Sequence, residues 1–402
     1  PDRGTGGGGP GSFAIEFLAD HAGEGRALEN SRALSGAGRE GDRCEGGNGA
    51  ARAAFFLRSA LTSCGRCALL GGTVKKLWRR KPVLGIGIGV GLVGAVALAV
   101  RYGLRRAPRE RLPDDISPAI FASRVAETTR GEMVYHISGT GDPLVFLHGI
   151  YLGASSYEWS KVYPHFTMSH EVIAPDLIGF GESERPGAPM DAVDYAESIA
   201  EFLLETCPGK RPTIVASGLT AGIALLMASR HPERIRRLIL LLPTGLKESG
   251  KWRAAGMVAL VGLPGLNRFV YHNYLSREPF IRGWLTKFAL GDPSRLNEEM
   301  VRALATCAQQ AGAEHAIFGF LRGRLAFDIE SRLDRVPQPV TILWPDRAAG
   351  FPLASGEAIA RKLPAARLVP VPDTGILAAL ETPAELTAIL SEELDGLDLR
   401  VA

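Results

Sequence analysis

Cysteine is scarce in this chain, with five residues among 402. An odd number at scattered positions cannot supply the paired framework of a disulfide-stapled domain, so that class is excluded. Cys64 and Cys67 form a lone Cys-x-x-Cys. The pair suits half of a redox or zinc site, or two free thiols in a flexible leader. The second interpretation is favoured, and we predict no bound metal and no cofactor.

An excess of one charge sign is also missing. The 46 basic and 43 acidic residues leave a net charge of +3. Residues 75–111 are the exception, because they hold ten Lys and Arg and a single acid, Glu110. A basic region this local is not a nucleic-acid-binding surface spread over a domain, so nucleic acid is not predicted as a partner.

Apolar periodicity is absent from the first fifty residues, which contain fourteen glycines. Such a stretch cannot bury enough surface to offset the entropy lost on ordering. We therefore predict a disordered leader over residues 1–73. Its second part, residues 51–73, has arginines and small residues but no acid, which is the composition of a targeting segment.

Polar side chains are absent from residues 82–100, which read PVLGIGIGVGLVGAVALAV. As a helix this run is roughly 28 Å long, close to the thickness of a bilayer core. Basic residues flank it on both sides, and Trp78 and Tyr102 stand where interfacial aromatic residues belong. We predict one membrane-spanning helix within residues 74–111, in an orientation that the basic flanks do not reveal. A glycine-rich buried segment and a cleaved signal core are the alternatives.

From residue 113 to residue 402 the pattern changes to alternating strands and helices. Apolar strand patterns are separated by helical patterns, which predicts an α/β fold with a mostly parallel, doubly wound sheet. A mostly helical stretch at about residues 246–335 interrupts the alternation, and we interpret it as a cap. The predicted strands are Met133–Ser138, Leu144–Leu147, Glu171–Pro175, Pro212–Ala216, Leu238–Leu242, Val340–Trp344 and Arg367–Val371.

Three motifs in this region together resemble the α/β-hydrolase family, in particular the group with epoxide hydrolases, dehalogenases and simple esterases. Leu144–Ile150 is a strand ending in His-Gly, Ala174–Ser183 contains D-x-x-G-x-G-x-S, and Ala228–Leu238 has the usual end of the helix that follows the nucleophile. The resemblance covers about 280 residues and implies a cap after the sixth strand. The cap segments Gln310–Glu314 and Phe320–Leu325 look more like a plant and cyanobacterial subgroup of hydrolase-like proteins.

The resemblance also assigns an oxyanion loop and a nucleophile position. His148 would support the loop, and the residue after Gly149, Ile150, would donate a backbone N–H to the oxyanion hole. Family spacing counted back from the helix end places the nucleophile at Gly218, followed by Leu219. This position carries no hydroxyl, thiol or carboxylate. With Ser217 at the tip instead, bulky residues would flank it, so we favour Gly218.

The residues at the family's acid and base positions also differ in type from those that the family uses. Between Trp344 and Pro352, family spacing puts the acid at Ala348, with Asp346 two residues early. The G-H-x-x-x-x-E-x-P context is preserved apart from its histidine, which is Ile376 here. Acyl transfer on this fold needs a nucleophile, a base and an orienting acid, and all three are missing at these positions.

These substitutions suggest a hydrolase relative that has lost hydrolysis. Gly218, Leu219, Ala348 and Ile376 would line the old active site with apolar surface. Together with the oxyanion loop at His148, Gly149 and Ile150, they would form a pocket under the cap, where a small apolar molecule such as a lipid or terpenoid could bind. We therefore predict a membrane-anchored pseudo-hydrolase that binds such a ligand or acts as a scaffold.

Two other hypotheses stay open. One is an active serine hydrolase with displaced groups, using Ser217, Asp346 and His315. The other is a structural subunit of a membrane complex with fixed protein partners. The acid-free arginine-bearing segment suggests an organelle, and the subgroup resemblance suggests the plastid.

Overall fold

The computed structural model describes residue 118, residues 120–245 and residues 265–401. The predicted leader with Cys64 and Cys67, the predicted membrane helix at residues 82–100 and the first part of the predicted cap lie outside these residues. Within the described part of the chain, no helix is both long enough and apolar enough to cross a bilayer.

Eight strands form one sheet in the order β1-β2-β4-β3-β5-β6-β7-β8. The pairs β1–β2 and β2–β4 are antiparallel, and the other five pairs are parallel. This confirms the predicted α/β class and the mostly parallel sheet. The strands are β1 Ala122–Thr128, β2 Gly131–Ser138, β3 Asp142–Leu147, β4 His170–Pro175, β5 Thr213–Ser217, β6 Arg237–Leu241, β7 Val340–Pro345 and β8 Ala366–Val371.

Helices cover both faces of the sheet because its central strands are apolar on both sides. Along β3, Val145 and Leu147 belong to one buried cluster, whereas Leu144 and Phe146 belong to a second. Neighbouring side chains of a strand point to opposite faces, so the two clusters are the two layers of the core. The helices outside the cap are α1 Ala192–Thr206, α2 Gly218–Arg230, α7 Leu353–Ala360, α8 Ala378–Glu381 and α9 Pro383–Val401.

The described part of the cap, residues 265–335, lies between β6 and β7. Two cap helices, α3 (Leu266–Val270) and α4 (Glu278–Trp284), each continue into a wider π-helical turn, at Tyr271–Leu275 and Leu285–Ala289. A third apolar cluster joins the cap to the residues after β3, and it includes Tyr157, Leu304 and Leu380. The cap helices are α3 Leu266–Val270, α4 Glu278–Trp284, α5 Glu298–Ala308 and α6 Ala313–Leu321.

At Gly153 the loop after β3 lies close against the cap. Its φ is +77°, and an added Cβ would collide with the Leu304 carbonyl oxygen and lie 2.8 Å from its carbonyl carbon. Gly153→Ala should therefore lower the free energy of unfolding by about 3 kcal/mol, because backbone must move on both sides of the contact. Equilibrium urea unfolding measures this loss. Gly187→Ala is the control, since a Cβ there meets nothing within 4 Å; equal stability losses would contradict this account of the contact.

Candidate active site

The turn from β5 to α2 places Gly218 at its tip. Ser217, the last residue of β5, has extended backbone with φ −118° and ψ 153°, and Gly218 begins the helix with φ +55°. This left-handed conformation is costly for residues with a side chain, and the family's nucleophile adopts such a strained turn. A Cβ built on Gly218 would meet no described heavy atom within 4 Å. The tip thus has room for a side chain, although the sequence supplies none.

Ser217 is turned away from the position of a nucleophile. Its side chain is buried, with 3% exposure, and its hydroxyl donates a hydrogen bond to Oε1 of Glu158. A Cβ added to Gly149 would lie 3.0 Å from the Ser217 Oγ, so this hydroxyl sits directly beneath the oxyanion loop.

Glu158 is a buried carboxyl group that the sequence analysis did not single out. It is 1% exposed and lies in the 3₁₀ turn Ser156–Trp159. Its Oε2 accepts the backbone N–H of Gly149 at 2.7 Å, and the Tyr151 hydroxyl is a further hydrogen-bond partner. Burial raises the pKa of Glu158, and hydrogen bonds from Ser217, Gly149 and Tyr151 oppose that rise. One signal was available: Glu158 is the only acid between Asp142 and Glu171.

His148 is held in a neutral, structural role. Its Nε2 lies 2.9 Å from the Leu177 backbone nitrogen, which can only donate, so Nε2 is the acceptor. The proton is therefore on Nδ1, which donates to the Gly149 carbonyl oxygen at 2.7 Å. Burial lowers the pKa of His148, which keeps the ring uncharged. With both nitrogens occupied, the ring is not available to take a proton from a nucleophile.

The positions that the family resemblance assigns to the acid and the base are occupied by apolar residues. Ala348 is 7% exposed, and the half-buried Ile376 packs on the same apolar cluster that contains Ile150 and Leu219. The Trp344 indole N–H donates to the Phe351 carbonyl at 3.0 Å, which closes the loop carrying residue 348.

The displaced set proposed from the sequence is not brought together. The Asp346 side chain is exposed, and His315 Nε2 lies 4.0 Å from the Glu314 carboxylate. Within the described ranges, no hydrogen bond or ion pair joins Ser217, Asp346 and His315 to one another. The described residues also contain no group of three or more His, Cys, Asp or Glu that could hold a metal ion.

The family's oxyanion-hole positions give this arrangement the means to polarise a ligand oxygen. By family position, the backbone N–H groups of Ile150 and Leu219 would be the oxyanion-hole donors. A nucleophile at the tip, a base and its orienting acid are all absent from residues 218, 376 and 348.

Comparison with known proteins identifies the family to which the chain is similar. Residues 142–383, more than half of the chain, match the family model described as alpha/beta hydrolase fold. A 2-hydroxymuconate semialdehyde hydrolase from a Pseudomonas species is 37% identical over 131 residues, 32% of this chain and 46% of that enzyme. The uncharacterized hydrolase YugF of Bacillus subtilis is 26% identical over 272 residues, 66% of this chain and 94% of that protein.

Solved structures agree with the sequence matches. The epoxide hydrolase CorEH superposes with a TM-score of 0.60 at 21% identity, covering 69% of this chain and 99% of CorEH. A bacterial membrane phospholipase A superposes with a TM-score of 0.57 at 23% identity, covering 80% and 99% of the two chains. At such identities the likeness shows the fold alone. The chain spans less than half the length of the first curated relatives it matches. The motifs, the sheet and the family match together establish that this chain belongs to the α/β-hydrolase fold family.

Proposed function

We propose that this protein is a pseudo-hydrolase that binds a small apolar ligand beneath its cap. The observation that carries the proposal is the glycine at the tip of the nucleophile turn, with φ +55° and open space where a nucleophile's side chain would be. Hydrolysis through an acyl-enzyme needs a side-chain nucleophile at that point and a base within hydrogen-bond reach. Ile376 cannot accept a proton, and His148 is already bonded at both nitrogens.

The chemistry around the tip supports an apolar ligand. Ile150, Leu219 and Ala348 are buried in one apolar cluster, and Ile376 and Phe327 are partly buried against it. The two oxyanion-hole N–H groups would add a polar anchor for a ligand oxygen. A concave apolar site with few polar groups is the usual form of a small-molecule site.

Anchoring to a membrane is a further part of the proposal. It rests on the apolar run at residues 82–100 and its basic flanks. An organellar membrane is proposed from the acid-free, arginine-bearing segment before it, and the plastid is proposed from the resemblance of the cap segments to a plant and cyanobacterial subgroup.

The proposed loss of hydrolysis predicts an inert protein in ester assays. The full chain should hydrolyse aryl and lipid esters no faster than a Ser217→Ala variant does, because the Ser217 hydroxyl is not the nucleophile. Native mass spectrometry of the same preparation should show a bound apolar small molecule. Ester turnover that disappears in Ser217→Ala would contradict the loss of hydrolysis. A chain free of ligand that co-purifies with fixed partners would favour a scaffold instead.

A further inference from the structure

Glu158 brings a buried carboxyl group to the oxyanion loop itself. Its Oε2 is 2.7 Å from the nitrogen of Gly149, and the next N–H along the chain, that of Ile150, is an oxyanion-hole donor by family position. The carboxyl group is thus only one peptide unit from the place where a ligand oxygen would be anchored.

The groups around Glu158 can all donate hydrogen bonds to its carboxylate form. The Gly149 backbone N–H can only donate, the Ser217 hydroxyl donates to Oε1, and the Tyr151 hydroxyl stabilises the carboxylate. A carboxylate accepts hydrogen bonds and does not donate, so it satisfies this set without a proton of its own. Burial opposes ionisation by raising the pKa of Glu158, and the hydrogen bonds from these three groups act against that rise.

None of the described hydrogen-bond partners of Glu158 carries a positive charge. His148 is neutral, because burial lowers its pKa and both of its nitrogens are bonded. Arg185, on the turn after β4, is not among these partners; burial lowers its pKa, and the opposite charges of Asp176 and Glu182 oppose that fall. A second negative charge at the anchor point would therefore face Glu158 across a poorly solvated region, where like charges repel strongly.

We propose that Glu158 makes this site selective by charge, so that it holds neutral amphiphiles through a carbonyl or hydroxyl oxygen and rejects the corresponding carboxylates. The inference rests on the proposed function, because it names the ligand class of the same pocket. It assigns Glu158 as a specificity-determining residue that acts from beneath the loop and does not touch the ligand.

The test compares two ligands of nearly equal shape. Octanamide and octanoate differ chiefly in charge, and their binding to the purified full chain can be measured by isothermal titration calorimetry at about pH 8, where an ordinary carboxylic acid is ionised. We expect octanoate to bind at least ~10-fold more weakly than octanamide. In Glu158→Gln the difference should shrink to about 3-fold or less, since the buried charge is gone.

Glu299→Gln is the matched control variant. Glu299 also accepts from a tyrosine, Tyr157, at 3.0 Å, but its side chain is 58% exposed and it lies on α5. This variant should keep the wild-type preference for the amide.

The outcomes separate the two proposals. If octanoate binds the wild type as tightly as octanamide, charge selection is wrong while ligand binding stands. If the preference is unchanged in Glu158→Gln, another group causes it and the assignment to Glu158 is wrong. If neither compound binds, the apolar-ligand function itself fails, and the inference fails with it. The wild-type comparison decides the question even if Glu158→Gln does not fold.

Discussion

Restoring the three missing side chains should create an esterase. We expect Gly218→Ser/Ala348→Asp/Ile376→His to hydrolyse an activated aryl ester at least ~100-fold faster than the wild type. This is a small part of the roughly 10⁶-fold increase in kcat that a complete triad contributes in subtilisin. Space is available at the tip, where a Cβ would meet no described atom within 4 Å. The strained φ of +55° would cost the serine about 1–3 kcal/mol of stability, which a folded domain tolerates.

The loops that would carry the new acid and base are already fixed. The bond from Trp344 to Phe351 closes the loop at residue 348, and the Gly375 N–H donates to Glu381 at 2.7 Å beside residue 376. Steady-state release of p-nitrophenol measures the predicted increase in the rate of ester hydrolysis.

Partial reconstructions provide the controls for this experiment. Gly218→Ser and the double variant Gly218→Ser/Ala348→Asp both lack the histidine. Each should hydrolyse the ester at about the wild-type rate, because a serine without a base is a weak nucleophile. An inactive but folded triple variant would show that residues 218, 348 and 376 do not converge, and it would contradict the assignment of the triad positions.

Removing the Glu381 carboxylate should destabilise the protein by about 3–5 kcal/mol, since buried donors would lose their acceptor. The side chain is fully buried and binds two segments at once. Toward the cap it accepts the N–H groups of Gly291 at 2.9 Å and Asp292 at 2.7 Å. Toward residue 376 it accepts from the N–H of Gly375 and, at 3.2 Å, from the Thr374 hydroxyl. Glu381→Ala would leave these donors unpaired at the junction of cap and sheet.

Urea unfolding of Glu381→Ala beside Glu385→Ala measures this contribution. Glu385 is exposed in the first turn of α9, where its loss should cost no more than about 0.5 kcal/mol through the helix dipole. Equal losses in the two variants would contradict the view that Glu381 joins the end of the cap to the loop that carries residue 376.

The central strands could be predicted from sequence because they are apolar runs bounded by turn residues. Residues 340–344 and 367–371 were predicted as strands, and β7 and β8 span Val340–Pro345 and Ala366–Val371. The strand β1 was missed for a physical reason. It is an edge strand whose single fully buried side chain is Ala126, so it lacks the alternation that marks a half-buried strand.

Only some residues of the candidate site could be predicted from the sequence. Gly218, Ala348 and Ile376 stand in motifs that are otherwise preserved, so each position could be counted from its neighbours. Glu158 could not be placed in this way. Its partners Gly149 and Ser217 are 9 and 59 residues distant in sequence, and only folding brings them together. The exposure of Asp346 likewise depends on how the loop after β7 turns, which spacing alone does not specify.

Intact-mass spectrometry of the full wild-type chain after treatment with a fluorophosphonate tests the central claim most directly. A nucleophilic serine on this fold would gain one phosphonyl group, whereas a glycine at the tip leaves the reagent without a target. We predict that the mass of the wild-type chain is unchanged. The variant Gly218→Ser/Ala348→Asp/Ile376→His should be labelled under the same conditions. A single adduct on the wild type that maps to Ser217 would contradict the claim that the turn carries no nucleophile.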